Sequence, residues 1–212
     1  MDRFTLKSNA RSQLRGNIGV LFVCTLIVGL ITAVCAALSY GIASLLVVPP
    51  FELGMAMIYL GLTEGREAKI EKVFNGFKVN FVKSILLYLL MGIFIALWSL
   101  LLVIPGIIKG FSYAMAPYIL AENPEMSPLD AITESKRMMH GHKFDLFVLY
   151  LSFIAWIFLV YITLGIAAIY VGPYMELTVA NFYKSLSGGY TNTYQGTATE
   201  TASSDSGAFY EE

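Results

Sequence analysis

The chain has 212 residues, of which 57% are hydrophobic and 14% carry a charge, and its mean hydropathy is +0.66. Soluble domains contain about 45–50% apolar and about 25% charged residues, so the composition excludes an ordinary soluble domain and indicates a multi-pass membrane protein. The net charge of −1 excludes the general basic field that attracts nucleic acid.

The first predicted element is a basic amphipathic helix over residues 1–17. Arg3, Lys7, Arg11 and Arg15 recur at every fourth position, which places them on one side of a helix. Each basic residue near an anionic membrane surface contributes about 1 kcal/mol of attraction. We therefore interpret the segment as an interfacial helix bound to membrane lipids, and a merely solvated basic face is the alternative.

A long uncharged span is predicted over residues 18–48, followed by a break at Pro49-Pro50 and a shorter returning span over 51–62. Small residues recur at every fourth position of the first span, and they are Thr25, Gly29, Ala33, Ala37 and Gly41. Because small residues let membrane helices approach closely, this stripe predicts a helix–helix contact.

A second unit of the same design is predicted over residues 63–121. Its charged first part has apolar residues at helical spacing, namely Ile70, Val73, Phe74 and Phe77, and predicts an interfacial amphipathic helix that ends at Asn75-Gly76. The third and fourth spans are predicted over 84–104 and 107–121. The break between them is assigned to Pro105-Gly106, since proline removes a backbone donor and glycine allows a reversal.

The third unit begins at Ser127-Pro128, where serine suits the cap and proline the first position of a helix that extends to about residue 139. A fifth span over 144–171, a break at Gly172-Pro173 and a sixth span over 174–186 are predicted to follow. We assign 1–187 to an integral membrane domain. The remaining residues, 188–212, are rich in serine, threonine and acid, and are predicted to form a disordered cytoplasmic tail.

These units predict an all-α polytopic bundle of six spans, built as three Pro-broken hairpins with cytoplasmic interfacial helices. Aligning Pro49 with Pro173 matches Glu52 with Glu176 and Tyr59 with Tyr183, although chance similarity between apolar helices is an alternative. Basic residues concentrate in 1–17, 63–83 and 122–143, which six spans place on one side. The positive-inside rule assigns that side, and both termini, to the cytoplasm.

The notable ionisable residues of the predicted spans are three that each lie three or four positions after a proline. They are Glu52, Lys109 and Glu176. Charges at that depth face the bundle interior or pair with one another, so a cluster of the three is one hypothesis. The alternative is that each side chain extends to the outer headgroups.

Motifs for catalysis, cofactors or metals are not apparent in the sequence. His140 and His142 with Asp145 could be drawn as a metal site, but they flank one glycine in a polar turn. We interpret that turn as solvated, and predict no catalytic, cofactor or metal residue.

Several runs of the sequence resemble the hallmarks of a family of uncharacterised bacterial integral membrane proteins. The runs are 98–122, 131–143, 152–156, 171–174 and 181–183. The resemblance covers residues 1 to about 187, and the family is distantly similar to the membrane domain of some glycerophosphodiester phosphodiesterases. It implies a six-helix protein of the bacterial plasma membrane, and it supplies no activity or functional residue.

The sequence favours a non-enzymatic membrane protein that acts through membrane lipids or through other membrane proteins, including copies of itself. A small transporter or channel is the alternative, because many transporters contain internal repeats and charges within the membrane. An integral-membrane enzyme ranks third, since no constellation of acid, base or metal ligands is visible.

Overall fold

The computed structural model describes residues 3–39, 43–79, 81–163 and 165–205, with side chains described as far as residue 188 except that of residue 39. All regular structure in these ranges is helical. The α-helices are α1 (Arg3–Leu14), α2 (Ile18–Ser39), α3 (Ser44–Thr63), α4 (Asn75–Val79), α5 (Phe81–Leu101), α6 (Val103–Tyr113), α7 (Ala116–Glu122), α8 (Pro128–Met138), α9 (Lys143–Leu151), α10 (Ile154–Ile162) and α11 (Ala168–Asp205). A 3₁₀ turn covers Ile70–Phe74.

Five stretches are long and apolar enough to cross a membrane. They are Ile18–Leu38, Ser44–Thr63, Phe81–Leu101, Val103–Glu122 and Lys143–Ile162. Large apolar side chains on these stretches stay exposed, for example Leu38 and Leu100, which are 81% and 87% accessible. Hydrocarbon chains of a bilayer can cover such a surface, so the structure indicates a multi-pass membrane protein.

The sixth predicted span, 174–186, lies inside α11 and is not one of these five stretches. Glu176, Asn181 and Lys184 make it more polar than the others. The helical backbone of α11 continues past it to Asp205. Side chains are described only to residue 188, so the disordered tail over 188–212 stays a prediction.

Most of the buried core is contributed by α3, α7 and the part of α11 up to residue 188. Helix α3 packs against α7 and α11, and it is flanked by α2, α5 and the 70–79 segment. Residues 51–62 of α3 are almost all buried, whereas α2 and α5 carry long exposed apolar faces. Helices α2 and α5 therefore lie at the outside of the bundle, against α3.

The prediction that the prolines break the helices is wrong in detail. Pro49 and Pro50 lie inside α3, and Pro173 lies inside α11. Each of these helices begins five residues before its first proline. Pro105 is the third residue of α6, where its missing N–H would have had no helical partner, and the break falls at the extended Leu102. Each of these three helices therefore begins upstream of its proline.

The 63–83 segment does not form the predicted amphipathic helix. It forms the 3₁₀ turn and α4, and α4 begins at Asn75, where the predicted helix ends. Two glycines allow the backbones to touch: a Cβ on Gly54 would lie 2.1 Å from the carbonyl oxygen of Val73, and one on Gly76 would lie 1.9 Å from that of Pro50. This segment is therefore pressed directly against α3.

Helix α1 packs along α11 and buries Leu6, Ala10 and Leu14. The Gln13 and Asn181 amides are joined by hydrogen bonds of 2.7 and 3.3 Å. The basic stripe also contacts protein: Lys7 Nζ donates to the carbonyl oxygen of Ser152 at 3.1 Å and lies 4.2 Å from the centroid of the Phe153 ring. These two residues separate α9 from α10, so α1 stabilises an interruption in the fifth predicted span.

The predicted helix over 128–139 is confirmed as α8. The Ser127 side chain caps it by accepting a hydrogen bond from the Asp130 N–H at 3.2 Å. Helix α8 also supports the junction between α6 and α7, where Ser135 Oγ accepts from the Met115 N–H at 3.2 Å and donates to the carbonyl oxygen of Ser112 at 2.8 Å. The fourth predicted span thus consists of two helices, and Ser135 forms hydrogen bonds to the backbone on both sides of their junction.

Candidate functional site

Glu52 and Glu176 line one cavity in the interior of the bundle. Each lies eight residues after the first residue of its helix, Glu52 on α3 and Glu176 on α11, and these two helices pack together. The cavity has a volume of about 210 Å³ and is lined also by four tyrosines, which are Tyr59, Tyr88, Tyr118 and Tyr150. Two acids and four hydroxyls make this a polar space between apolar helices.

The two carboxylates have different surroundings. The Tyr118 hydroxyl donates to Glu176 Oε2 at 3.1 Å, which orients that carboxylate. Glu52 has no hydrogen bond or ion pair with any residue that the structure describes. Both glutamate side chains are accessible, because the cavity is open. Glu52 is therefore free to bind a ligand, a proton or water.

A wider groove continues from the cavity and lies between α2, α3 and α11. Its volume is about 540 Å³, and it shares Glu52, Met55, Tyr59 and Glu176 with the cavity. Most of its remaining lining is apolar or small, with Thr25 and Thr32 as the added hydroxyls. The glutamates thus stand where a small polar space meets a larger, mainly apolar one.

Part of the predicted small-residue stripe on α2 lines this groove. Thr25, Gly29 and Ala33 are exposed there, and a Cβ on Gly29 would meet no atom within 4 Å. Ala37 is exposed as well, while Gly41 lies outside the described residues. The predicted helix–helix contact is therefore not made by these described residues within the chain.

An ion-pair network joins α3, α7 and α11 at the ends of α3 and α7. Lys184 Nζ donates to Glu64 Oε1 at 2.6 Å and also to Glu122, and Arg66 pairs with Glu64. The hydrogen bond from Lys184 is the main reason that the pKa of Glu64 lies below its ordinary value of 4.5. We call these four residues the charged latch.

One pair of tyrosines connects the charged latch with the cavity. The rings of Tyr118 and Tyr183 are stacked with centroids 5.7 Å apart. Tyr118 contacts Glu176 in the cavity, and the Tyr183 hydroxyl donates to Glu122 in the latch. The cavity and the charged latch are therefore connected by a continuous chain of contacts from Glu176 through Tyr118 and Tyr183 to Glu122.

Lys109 does not join the two glutamates. Its Nζ lies 4.5 Å from the centroid of the Trp98 ring, an arrangement typical of a cation–π contact between α6 and α5. It lines neither the cavity nor the groove. The structure thus brings together two of the three predicted residues, and Lys109 lies at a different place on the bundle.

Neither the cavity tyrosines nor the charged latch was predicted as part of a site. Tyr183 was matched with Tyr59 in the alignment of the first and third units, which offered a partial signal. Groups of three or more histidine, cysteine or acidic residues that could hold a metal ion do not occur among the described residues. His142 Nδ1 lies 3.2 Å from Asp145 Oδ2, and both side chains are more than 40% accessible.

A family model described as Protein of unknown function (DUF975) matches residues 1–109 and 99–189. The expected resemblance to a family of uncharacterised proteins is therefore confirmed, and it extends through all of the helices that form the cavity. No curated protein and no solved structure matches the chain.

Proposed function

The chain belongs to the DUF975 family of unknown function, and we propose that it is a non-enzymatic membrane protein that binds a cationic group at Glu52 and Glu176. The observation that carries the proposal is the placement of both carboxylates in one cavity. Among the residues that the structure describes, its lining includes no lysine, arginine or histidine. Two carboxylates that line one cavity repel each other, and a bound cation or a proton relieves that repulsion.

The chemistry of the cavity suits an ammonium group better than an anion. Carboxylates and tyrosine hydroxyls are acceptors for its N–H donors, and hydrogen bonds to ionised groups are about twice as strong as neutral ones. Tyr118 orients Glu176 and leaves Glu52 available. The pair thus combines one positioned carboxylate with one unpaired carboxylate.

We place the protein in a bacterial plasma membrane with six spans and both termini in the cytoplasm. The sixth span would be 174–186, because α11 pairs with α3 as the second helix of a hairpin. The basic residues of the segments around α1, α4 and α8 then lie on the cytoplasmic side. The distant similarity to the membrane domain of glycerophosphodiester phosphodiesterases also stays a prediction.

A small transporter is the second candidate function. It is favoured by the equivalent positions of Glu52 and Glu176 on helices from two similar units, an arrangement that repeat-built transporters place near the middle of the membrane. The charged latch joins Lys184 of α11 to Glu64, at the end of α3, and to Glu122, at the end of α7. Its opening would change access to the cavity from that side.

Cation binding can be tested with two ammonium probes, propylammonium and dodecylammonium, on protein in nanodiscs of zwitterionic lipid. A ligand present at about 100 times its Kd stabilises the folded state by about 2.7 kcal/mol, so at least one probe should raise the thermal midpoint. The paired change Glu52→Gln and Glu176→Gln should abolish that rise.

Glu125→Gln is the matched control, because Glu125 is an exposed acid in the loop before α8. This variant should respond to the probes as the wild type does. The proposal is refuted if neither probe raises the midpoint, or if the rise is the same with and without the two cavity carboxylates.

A further inference from the structure

The groove beside the cavity indicates what kind of cation the protein binds, an inference that rests on the proposed function. The cavity is small and polar, at about 210 Å³, and the groove is larger and mainly apolar, at about 540 Å³. They meet at Glu52, Tyr59 and Glu176. A molecule that fills both must have a charged end and an apolar end.

The open side of the groove lies on the apolar exterior of a membrane-spanning helix. Its edge is formed by Thr25, Gly29 and Ala33 of α2, and neighbouring residues such as Leu26 and Leu30 are exposed by 53% and 63%. In a bilayer that surface meets hydrocarbon chains rather than water. The groove is therefore reached from within the membrane.

We propose that the ligand is an amphiphilic alkylammonium that enters sideways from the bilayer. Its ammonium group binds at Glu52 and Glu176, and its hydrocarbon chain lies in the groove between α2, α3 and α11. Charge complementarity fixes the identity of the head, since the polar end of the groove offers two carboxylates. The small residues of α2 leave room for the chain.

A second apolar groove provides an internal comparison. It lies between α3 and α5 and has a volume of about 720 Å³. Among the described lining residues it shares Tyr88 with the cavity and Val48 with the first groove. Gly92 lines it, and a Cβ there would meet no atom within 4 Å, as is true of Gly29 in the first groove. Leucine at either glycine would fill one groove and leave the other open.

The test uses a long-chain primary amine that carries a photoreactive diazirine in its chain, added to the full-length protein in nanodiscs. After irradiation, mass spectrometry identifies the labelled residues. The proposal predicts labels on the walls of the first groove, for example at Val28, Thr32 and Ala36, none of which lines the α3–α5 groove. Glu52→Gln with Glu176→Gln should reduce this labelling at least about tenfold, equivalent to ~1.4 kcal/mol.

Filling the groove should have the same effect as removing the charge. Gly29→Leu should reduce labelling strongly, whereas Gly92→Leu should leave it unchanged. An alcohol of the same chain length and with the same diazirine should label the first groove weakly. The thermal midpoint of each variant without ligand shows whether the variant is still folded. Gly29→Ala is a smaller substitution at the same position, to be used if Gly29→Leu does not fold.

Two results would overturn the inference. Labels spread evenly over the exposed apolar surface, or concentrated in the α3–α5 groove, would show that the chain does not lie where we place it. Propylammonium binding as tightly as dodecylammonium would show that the ligand needs no chain. The second result would leave cation binding at Glu52 and Glu176 intact, so the two proposals can fail separately.

Discussion

Replacing Gly54 by alanine tests whether the 70–79 segment is pressed against α3 as described. The new Cβ would lie 2.1 Å from the carbonyl oxygen of Val73 and 3.2 Å from that of Lys72. Both contacts are with backbone, so α3 or the segment must move. Overpacking of this kind typically costs about 1–3 kcal/mol.

Helix propensity acts in the opposite direction, because alanine is better than glycine by about 1 kcal/mol inside a helix. Gly92→Ala is a control for this term: Gly92 also lies within a predicted membrane span, on α5, and a Cβ there would meet no atom within 4 Å. Propensity cancels when the two variants are compared. The remaining difference, about 1–3 kcal/mol, is the cost of the steric clash.

The assay is the thermal midpoint of each variant in one detergent. For a chain of this length, 1 kcal/mol corresponds to about 2–4 °C, so Gly54→Ala should unfold roughly 2–12 °C below Gly92→Ala. If the two variants unfold at the same temperature, the segment that carries Val73 does not touch α3 at Gly54, and the described packing is wrong.

Two further predictions concern the charged latch and the topology. The folded-state pKa of Glu64 is lowered, so Glu64 contributes stability above its unfolded pKa of about 4.5, and this stability is lost as the pH falls through the folded value. Lys184→Met removes the main cause of that lowering and should make the thermal midpoint fall less on acidification, by a modest amount because Glu64 is partly exposed. Equal acid sensitivity of the variant and the wild type would contradict this. Reporter proteins fused after Gly65, Glu125 and Gly189 should all report the cytoplasm, and an external signal at any of them would contradict the six-span topology.

The presence of long apolar helices could be predicted from the sequence better than the residues at which these helices begin. Long uncharged runs identify candidate membrane spans by their length alone. The start of α8 can be predicted from Ser127, because serine is a favourable N-cap residue. Because proline disrupts an isolated helix, the sequence predicts breaks at Pro49 and Pro173. In the structure both lie inside helices, as packed membrane bundles permit.

The tyrosines of the cavity could not be predicted, because a membrane helix that is apolar on all sides does not reveal which side faces its neighbours. Tyr88 and Tyr150 lie on helices whose exposed and buried faces are similarly apolar. Their common environment depends on how α5 and α9 pack in the bundle. Glu52 and Glu176, in contrast, can be identified from the sequence alone, because a charged residue within an apolar span is unusual.

The fate of Lys109 shows how far the apparent threefold pattern extends. Glu52 and Glu176 are matched by aligning whole segments of the first and third units, and the helix that carries each of them begins five residues before its first proline. The middle unit was matched only in its general plan, and α6 begins two residues before Pro105. Its helical segment is also interrupted, between the end of α6 at Tyr113 and the start of α7 at Ala116, whereas α3 and α11 are continuous around their prolines. Counting from the proline therefore gives equivalent depths for the two glutamates but not for the lysine, and the acidic pair is left without the cation that a true threefold arrangement would have supplied.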